Sequence, residues 1–182
     1  FERELGRRRV QAVEKIEAEG GFDAITRLAR DASVPGAVGI ALAKIGSSHD
    51  DELLGWLTSA DQDLASTAMS YFSTRYSLEG FALITDFLEQ SDLTVDQRVR
   101  LLLVARDNLA EVWALVDTDP DLEARYWRAF QTIGLGQDID KIDEIAEHLI
   151  QVGRHADVVH LMSMYTHIDK DGPRPQVAKL IV

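Results

Sequence analysis

The sequence predicts an all-α protein: a right-handed α-solenoid of about five stacked helical hairpins, with a period near 28 residues, spanning residues 1–182 as a single repeat domain. Three observations predict it. An apolar stripe recurs at a fixed spacing. Helix-starting and helix-stopping residues stand between the stripes. No segment sustains period-two alternation, and no Asn-Gly or Asp-Gly turn joins two strand-like runs.

The stripe begins with Ile25, Leu28 and Ala32, which lie at i, i+3 and i+7 on one face of a helix. A step of 28 residues gives Leu53, Trp56 and Ala60, the next gives Phe81, Ile84 and Leu88, and a third gives Leu109, Val112 and Val116. All twelve positions are apolar in a chain whose hydrophobic fraction is 46%. A further step of 33 reaches Ile142, Ile145 and Leu149.

Helices are expected to begin near residues 2, 22, 36, 50, 62, 79, 94, 108, 120, 138 and 155, with a last short one near Pro175. Gly20-Gly21 reads as a helix-ending turn, as does Gly134-Leu135-Gly136. Pro35 sits where a first helical turn lacks a partner for its N–H, and Gly46 supplies a left-handed stop. Asp61 opens the next helix, with Ala65, Ala68, Met69 and Phe72 on one face. Thr94 and Gln97 have capping-box spacing. Asp119-Pro120-Asp121 places Pro in a first turn and carboxylates at the positive end of a helix. Gln137–Gly153 and His155–His167 form a final pair with shifted phase. A hairpin of about 28 residues cannot bury its own apolar face, whereas stacked hairpins can.

The paired helices, the prolines at opening turns (Pro35, Pro120) and the small residues Ala37, Ala41, Ala65 and Ala68 resemble the HEAT-like repeat families. Ala37-Val38-Gly39-Ile40-Ala41-Leu42, Tyr126-Trp127 and Leu149-Ile150-Gln151-Val152-Gly153-Arg154 look like the helical tails of very large bacterial proteins. Those proteins often carry an upstream nucleotide-hydrolysing or sirtuin-like effector and are linked to phage defence. The resemblance implies a sensing or oligomerising tail.

Charge narrows the partners. The chain has 19 Lys plus Arg against 31 Asp plus Glu, a net of -12. Residues 1–30 hold seven basic and six acidic groups, and residues 31–182 hold 12 and 25. Nucleic-acid backbones demand the opposite balance. Arg7-Arg8-Arg9 is the local exception, and it reads first as a solvated helix face. With no cysteine, disulfide scaffolds and Cys-ligated metal or redox sites are excluded. The opening residues show no signal peptide, and no apolar run is long enough to span a membrane; a cytoplasmic location is expected. The start at Phe1 and the apolar end Val177–Val182 read as a piece of a longer protein, or as a terminus that a partner covers.

Catalytic signatures fail one by one. Neither glycine pair leads into the Lys-Ser/Thr of a phosphate loop. Asp117-Thr118-Asp119-Pro120-Asp121 alternates like a calcium loop, but Leu122 replaces the turn glycine and Arg128 the closing Glu. Asp169-Lys170-Asp171-Gly172 runs into Pro173. His160 and His167 share a face without a third ligand, and no nucleophile elbow is present. The acid clusters at Asp50-Asp51-Glu52, Asp61 with Asp63, and Asp138 through Glu147 all stand at helix starts, where capping explains them. No cofactor or metal is expected.

The remaining candidates are aromatic. Tyr126 and Trp127, adjacent on a helix, point about 100° apart, so one of them is expected to approach the surface. Trp113, Tyr126 and Trp127, flanked by Arg125 and Arg128, are the candidate protein-binding residues; core packing is the competing role. The expected function is a non-catalytic scaffold for a protein or peptide of basic character, the interaction or sensing region of a larger protein. A HEAT-like nucleic-acid-processing module is the alternative, and it would need a basic groove with stacking aromatics.

Overall fold

The structure, a computed structural model, describes residues 2–89, 92–132 and 141–166. Its described residues form helices α1 (Glu2–Asp31), α2 (Pro35–Ile45), α3 (Asp50–Trp56), α4 (Gln62–Glu79), α5 (Phe81–Leu88), α6 (Val95–Leu102), α7 (Leu109–Val116), α8 (Pro120–Ala129), α9 (Ile142–Gln151) and α10 (His155–Thr166), with no strand among them. None of these helices is long and apolar enough to cross a membrane. The Gly134–Gly136 turn, the helix start near residue 138, His167, the Asp169–Gly172 stretch, the helix near Pro175 and the apolar end lie outside the described residues.

The helix starts follow from the residues named above. Asp61 caps α4 by accepting from the N–H groups of Asp63 and Leu64, and Asp119 caps α8 through those of Asp121 and Leu122. Thr94 and Gln97 complete the capping box of α6. Pro35 and Pro120 occupy first turns. Gly46 ends α2 at φ 70°, ψ 40°, with its N–H on the carbonyls of Leu42 and Ala43. The turn expected at Gly20-Gly21 exists as a break inside α1, where Gly21 takes φ 59°, ψ -158°.

The chain divides into two compact units, Phe1–Trp113 and Ala114–Val182. In the first, α1 packs on α2 and α4, α2 and α3 pack on α4, α4 on α5, and α5 on α6. The α2–α4 crossing is the most extensive. It is close because Gly39 faces the backbone of α4: a Cβ there would fall 2.0 Å from the carbonyl oxygen of Thr67. Thr67, fully buried, donates its hydroxyl to the carbonyls of Asp63 (2.8 Å) and Pro35 (3.1 Å), so the crossing carries no orphaned hydroxyl. Beside it, Tyr71, Phe72 and Phe87 pack edge to face, with centroids 5.1 and 5.4 Å apart. In the second unit, α9 packs on α8 and α10.

The recurring stripe is buried only in part, since Leu28, Ala32, Phe81 and Leu88 are half-buried. Ile25, Leu53, Ile84, Leu109, Val112, Val116, Ile142, Ile145 and Leu149 are all buried. Trp56 is partly exposed, its ring lying 4.7 Å from that of Phe22, and Ala60 is exposed.

Candidate functional site

Helix α8 carries four of the five candidate residues, and the structure corrects the expectation for its aromatics. Tyr126 and Trp127 are each only 1% exposed. They meet edge to face at 5.3 Å, and Phe130 lies 5.6 and 5.0 Å from them. The imidazole of His148, on α9, stacks on the Trp127 indole at 4.2 Å and 6°. The reason lies in the width of the buried face. Leu122, Tyr126, Phe130 and Trp127 sweep about 140° of the helix at about 100° per residue, so two neighbours fit within one buried arc. Trp113 is buried as well. With Leu109, Val112 and Val116 it completes the i, i+3, i+4, i+7 pattern of the buried face of α7. None of the three aromatics is a surface anchor.

Arg125 and Arg128 remain exposed. Arg125 is drawn back along its own helix, with Nε 3.1 Å from both carboxylate oxygens of Asp121. Around the aromatic cluster, His148 Nδ1 lies 3.6 Å from Glu123 Oε1. Arg154, just before α10, donates from Nη1 to the carbonyl of Trp127 at 2.9 Å and to that of Phe130. A guanidinium thus caps the negative end of α8, while its Nε holds Asp157 at 2.7 Å.

The first unit holds a polar network that the sequence did not announce. Asp50, in the first turn of α3, accepts from Tyr71 Oη at 2.6 Å and from Arg75 Nη1 at 2.7 and 2.8 Å. Arg75 reaches on to Glu79 through Nε (2.6 Å) and Nη2 (2.9 Å). Burial, then the hydrogen bond to Asp50, pushes the Tyr71 phenol far above its ordinary range. The Arg75 guanidinium holds the Glu79 carboxyl below the usual carboxylate range. Tyr71 is fully buried, and the network ties α3 to α4. Among the described residues no three His, Asp or Glu side chains stand together as metal ligands.

The surface carries a second periodic signal. Asp23, Asp51, Glu79 and Asp107 recur every 28 residues, each two positions ahead of a stripe, and all four are exposed. The same offset arithmetic that finds the stripe finds these acids. By contrast, Arg7 and Arg8 of the basic run both close on Glu4, at 2.9 Å, lowering its carboxyl below the ordinary range.

No protein-family model matches the chain, and neither does any curated protein or solved structure.

Proposed function

We propose that the chain is a non-catalytic scaffold, a HEAT-like solenoid of stacked hairpins whose outer surface binds a basic protein or peptide segment in the cytoplasm. The observation that carries this reading is the order of packing in the first unit. Helix α1 leans on α2, α3 on α4, α4 on α5 and α5 on α6, and α2 lies along α4, the corresponding helix of the next hairpin. Repeat stacks of this kind offer long continuous surfaces rather than one pocket. The partner's charge follows from the net -12 and from the acids repeated at each hairpin. With the aromatics of α7 and α8 buried, binding rests on charge and shape along the surface rather than on Trp113, Tyr126 or Trp127.

The test is fluorescence anisotropy with labelled basic, neutral and acidic peptides, alongside single- and double-stranded oligonucleotides. The scaffold reading expects binding to basic peptides that weakens steeply with salt and weakens further in Asp51→Asn/Asp107→Asn. Preferential binding of an oligonucleotide would overturn it in favour of the nucleic-acid module.

A further inference from the structure

Two stretches of the first unit share one plan, 59 residues apart. Each is a long helix that runs through a glycine, without a loop, into a helix opened by Phe, and two short helices follow. The glycines are Gly21 (φ 59°, ψ -158°) and Gly80 (φ 80°, ψ -165°), in a conformation open only to glycine. Phe22, Ile25 and Thr26 stand at the places of Phe81, Ile84 and Thr85, and both isoleucines are fully buried. Val13 corresponds to Phe72, Leu42 to Leu101 and Leu53 to Val112, all of them buried. A contact recurs as well. Glu17 lies 3.3 Å from His49, just ahead of α3, and Tyr76 donates its hydroxyl at 2.6 Å to Asn108, just ahead of α7. A step of 28 carries Gly21 onto His49 instead, so it overlays a stripe where the step of 59 overlays whole helices.

The overlay fails on one face. On α4, Leu64, Thr67, Ala68 and Tyr71 lie at i, i+3, i+4 and i+7, and all four are buried. Helix α2 meets this side of α4. Its Gly39 approaches the backbone of Thr67 and Tyr71, its Gly36 approaches Ser70, and the Thr67 hydroxyl reaches the Pro35 carbonyl. The counterparts on α1 are Leu5, Arg8, Arg9 and Ala12, with Gln11 at the place of Ser70, and all five are exposed. Leu5 is 37% exposed where Leu64 is 5%. Arg8 is held at 2.9 Å by Glu4 and keeps its side chain 73% exposed. A helix like α2, apolar but for Lys44, could reach the α1 backbone only by taking these guanidinium groups out of water.

We propose that Arg8 and Arg9 are gatekeepers: α1 is the capping member of a 59-residue repeat, and the two arginines close on it the seat that α4 offers to α2. The partner they turn away is an apolar helix of small residues, such as the α2 of a second copy. A stack of repeats needs a polar outer face of this kind to stay soluble, which gives the Arg7–Arg9 run its role. The face stays closed whether or not the acidic surface binds a basic segment.

The test rebuilds the seat in the full chain. Arg8→Thr/Arg9→Ala/Ala12→Tyr gives α1 the face of α4, and Gln11→Cys puts a thiol at the place of Ser70 in a chain that has no other. All four positions are exposed, so the helix tolerates the changes, which circular dichroism checks. The probe is a peptide of residues 34–46 carrying Gly36→Cys, because Gly36 meets Ser70 where α2 crosses α4. In a thiol–disulfide buffer the rebuilt face should capture the peptide as a mixed disulfide about tenfold more than Gln11→Cys alone. Arg8→Thr/Arg9→Ala with Gln11→Cys should give a smaller excess. A peptide that also carries Gly39→Leu, too bulky for close approach, should lose the excess. Equal capture by Gln11→Cys alone would show that the arginines close nothing. No excess on the rebuilt face would show that α1 is not the counterpart of α4. Either result overturns the proposal.

Discussion

Gly39→Ala and Gly55→Ala make the same chemical change with opposite expected signs. Alanine is favoured over glycine in a helix by about 0.8–1 kcal/mol. At Gly55, in α3, a Cβ meets nothing within 4 Å, so the full gain should appear as added stability. At Gly39 the Cβ would stand 2.0 Å from Thr67 O, 2.9 Å from Thr67 C and 2.9 Å from Tyr71 N. A relaxed carbon–oxygen contact needs about 3.3 Å or more, so α2 and α4 must separate by about 1 Å. All three obstacles are backbone, which no rotamer change relieves. Separation would lengthen the Thr67–Pro35 hydrogen bond and open gaps beside Leu42, Ala68 and Phe72. Overpacking of this kind costs about 1–3 kcal/mol, and backbone obstacles place Gly39→Ala at the upper end, a net loss of about 2 kcal/mol after the helix gain. Urea unfolding followed by circular dichroism at constant slope reads both changes. A Gly39→Ala variant as stable as the parent would refute the described α2–α4 crossing.

Trp127→Ala should destabilise the second unit by about 3–5 kcal/mol, because it empties the space between Tyr126, Phe130 and His148; thermal unfolding checks this, and an unchanged midpoint would return Trp127 to the surface. Tyr71→Phe should cost about 1–2 kcal/mol by removing the bonds to Asp50 and Ser47. Because the folded Tyr71 phenol titrates above its unfolded value, the stability it contributes is whole below about pH 10 and is lost as pH rises through the folded value. Parent and Tyr71→Phe stabilities should therefore converge in alkali, which denaturation at pH 9 and above about pH 10 can measure. Glu79 titrates below its unfolded value of 4.5, so its contribution is present above that pH and fades as pH falls through the folded value. Glu79→Gln should cost under about 1 kcal/mol at neutral pH, since the pair with Arg75 is open to solvent, and the difference should vanish in acid.

Helix positions were legible because their signals are local. A cap such as Asp61 or Thr94 acts within three residues, and the left-handed stop at Gly46 needs only its own backbone. The stripe was legible in part: the i, i+3, i+7 spacing of a helix face found Ile25, Leu53, Ile84, Leu109, Val112 and Val116 in the core, while Leu28, Phe81 and Leu88 are only half-buried. The Asp50 network was not, since its partners Tyr71 and Arg75 lie 21 and 25 residues away and nothing in the spacing of a helix start foretells them. Acidic residues at the head of α3 read as capping groups, and Asp50 does far more than that. The burial of both Tyr126 and Trp127 was equally hidden. Helix geometry separates adjacent side chains, but whether the buried arc is wide enough for two depends on α9 bringing His148 over the indole.

The proposed stacking requires α2 to lie against α4, and a single crosslink tests that contact. A Cβ at Gly36 would lie 3.5 Å from the Cβ of Ser70, within the span of about 3.5–4.5 Å that a disulfide bridges. In this cysteine-free chain, Gly36→Cys/Ser70→Cys should close an intramolecular disulfide between α2 and α4 under mild oxidation, seen as a shifted gel band and a raised unfolding midpoint. Free thiols or crosslinked dimers in place of that bridge would contradict the stacking.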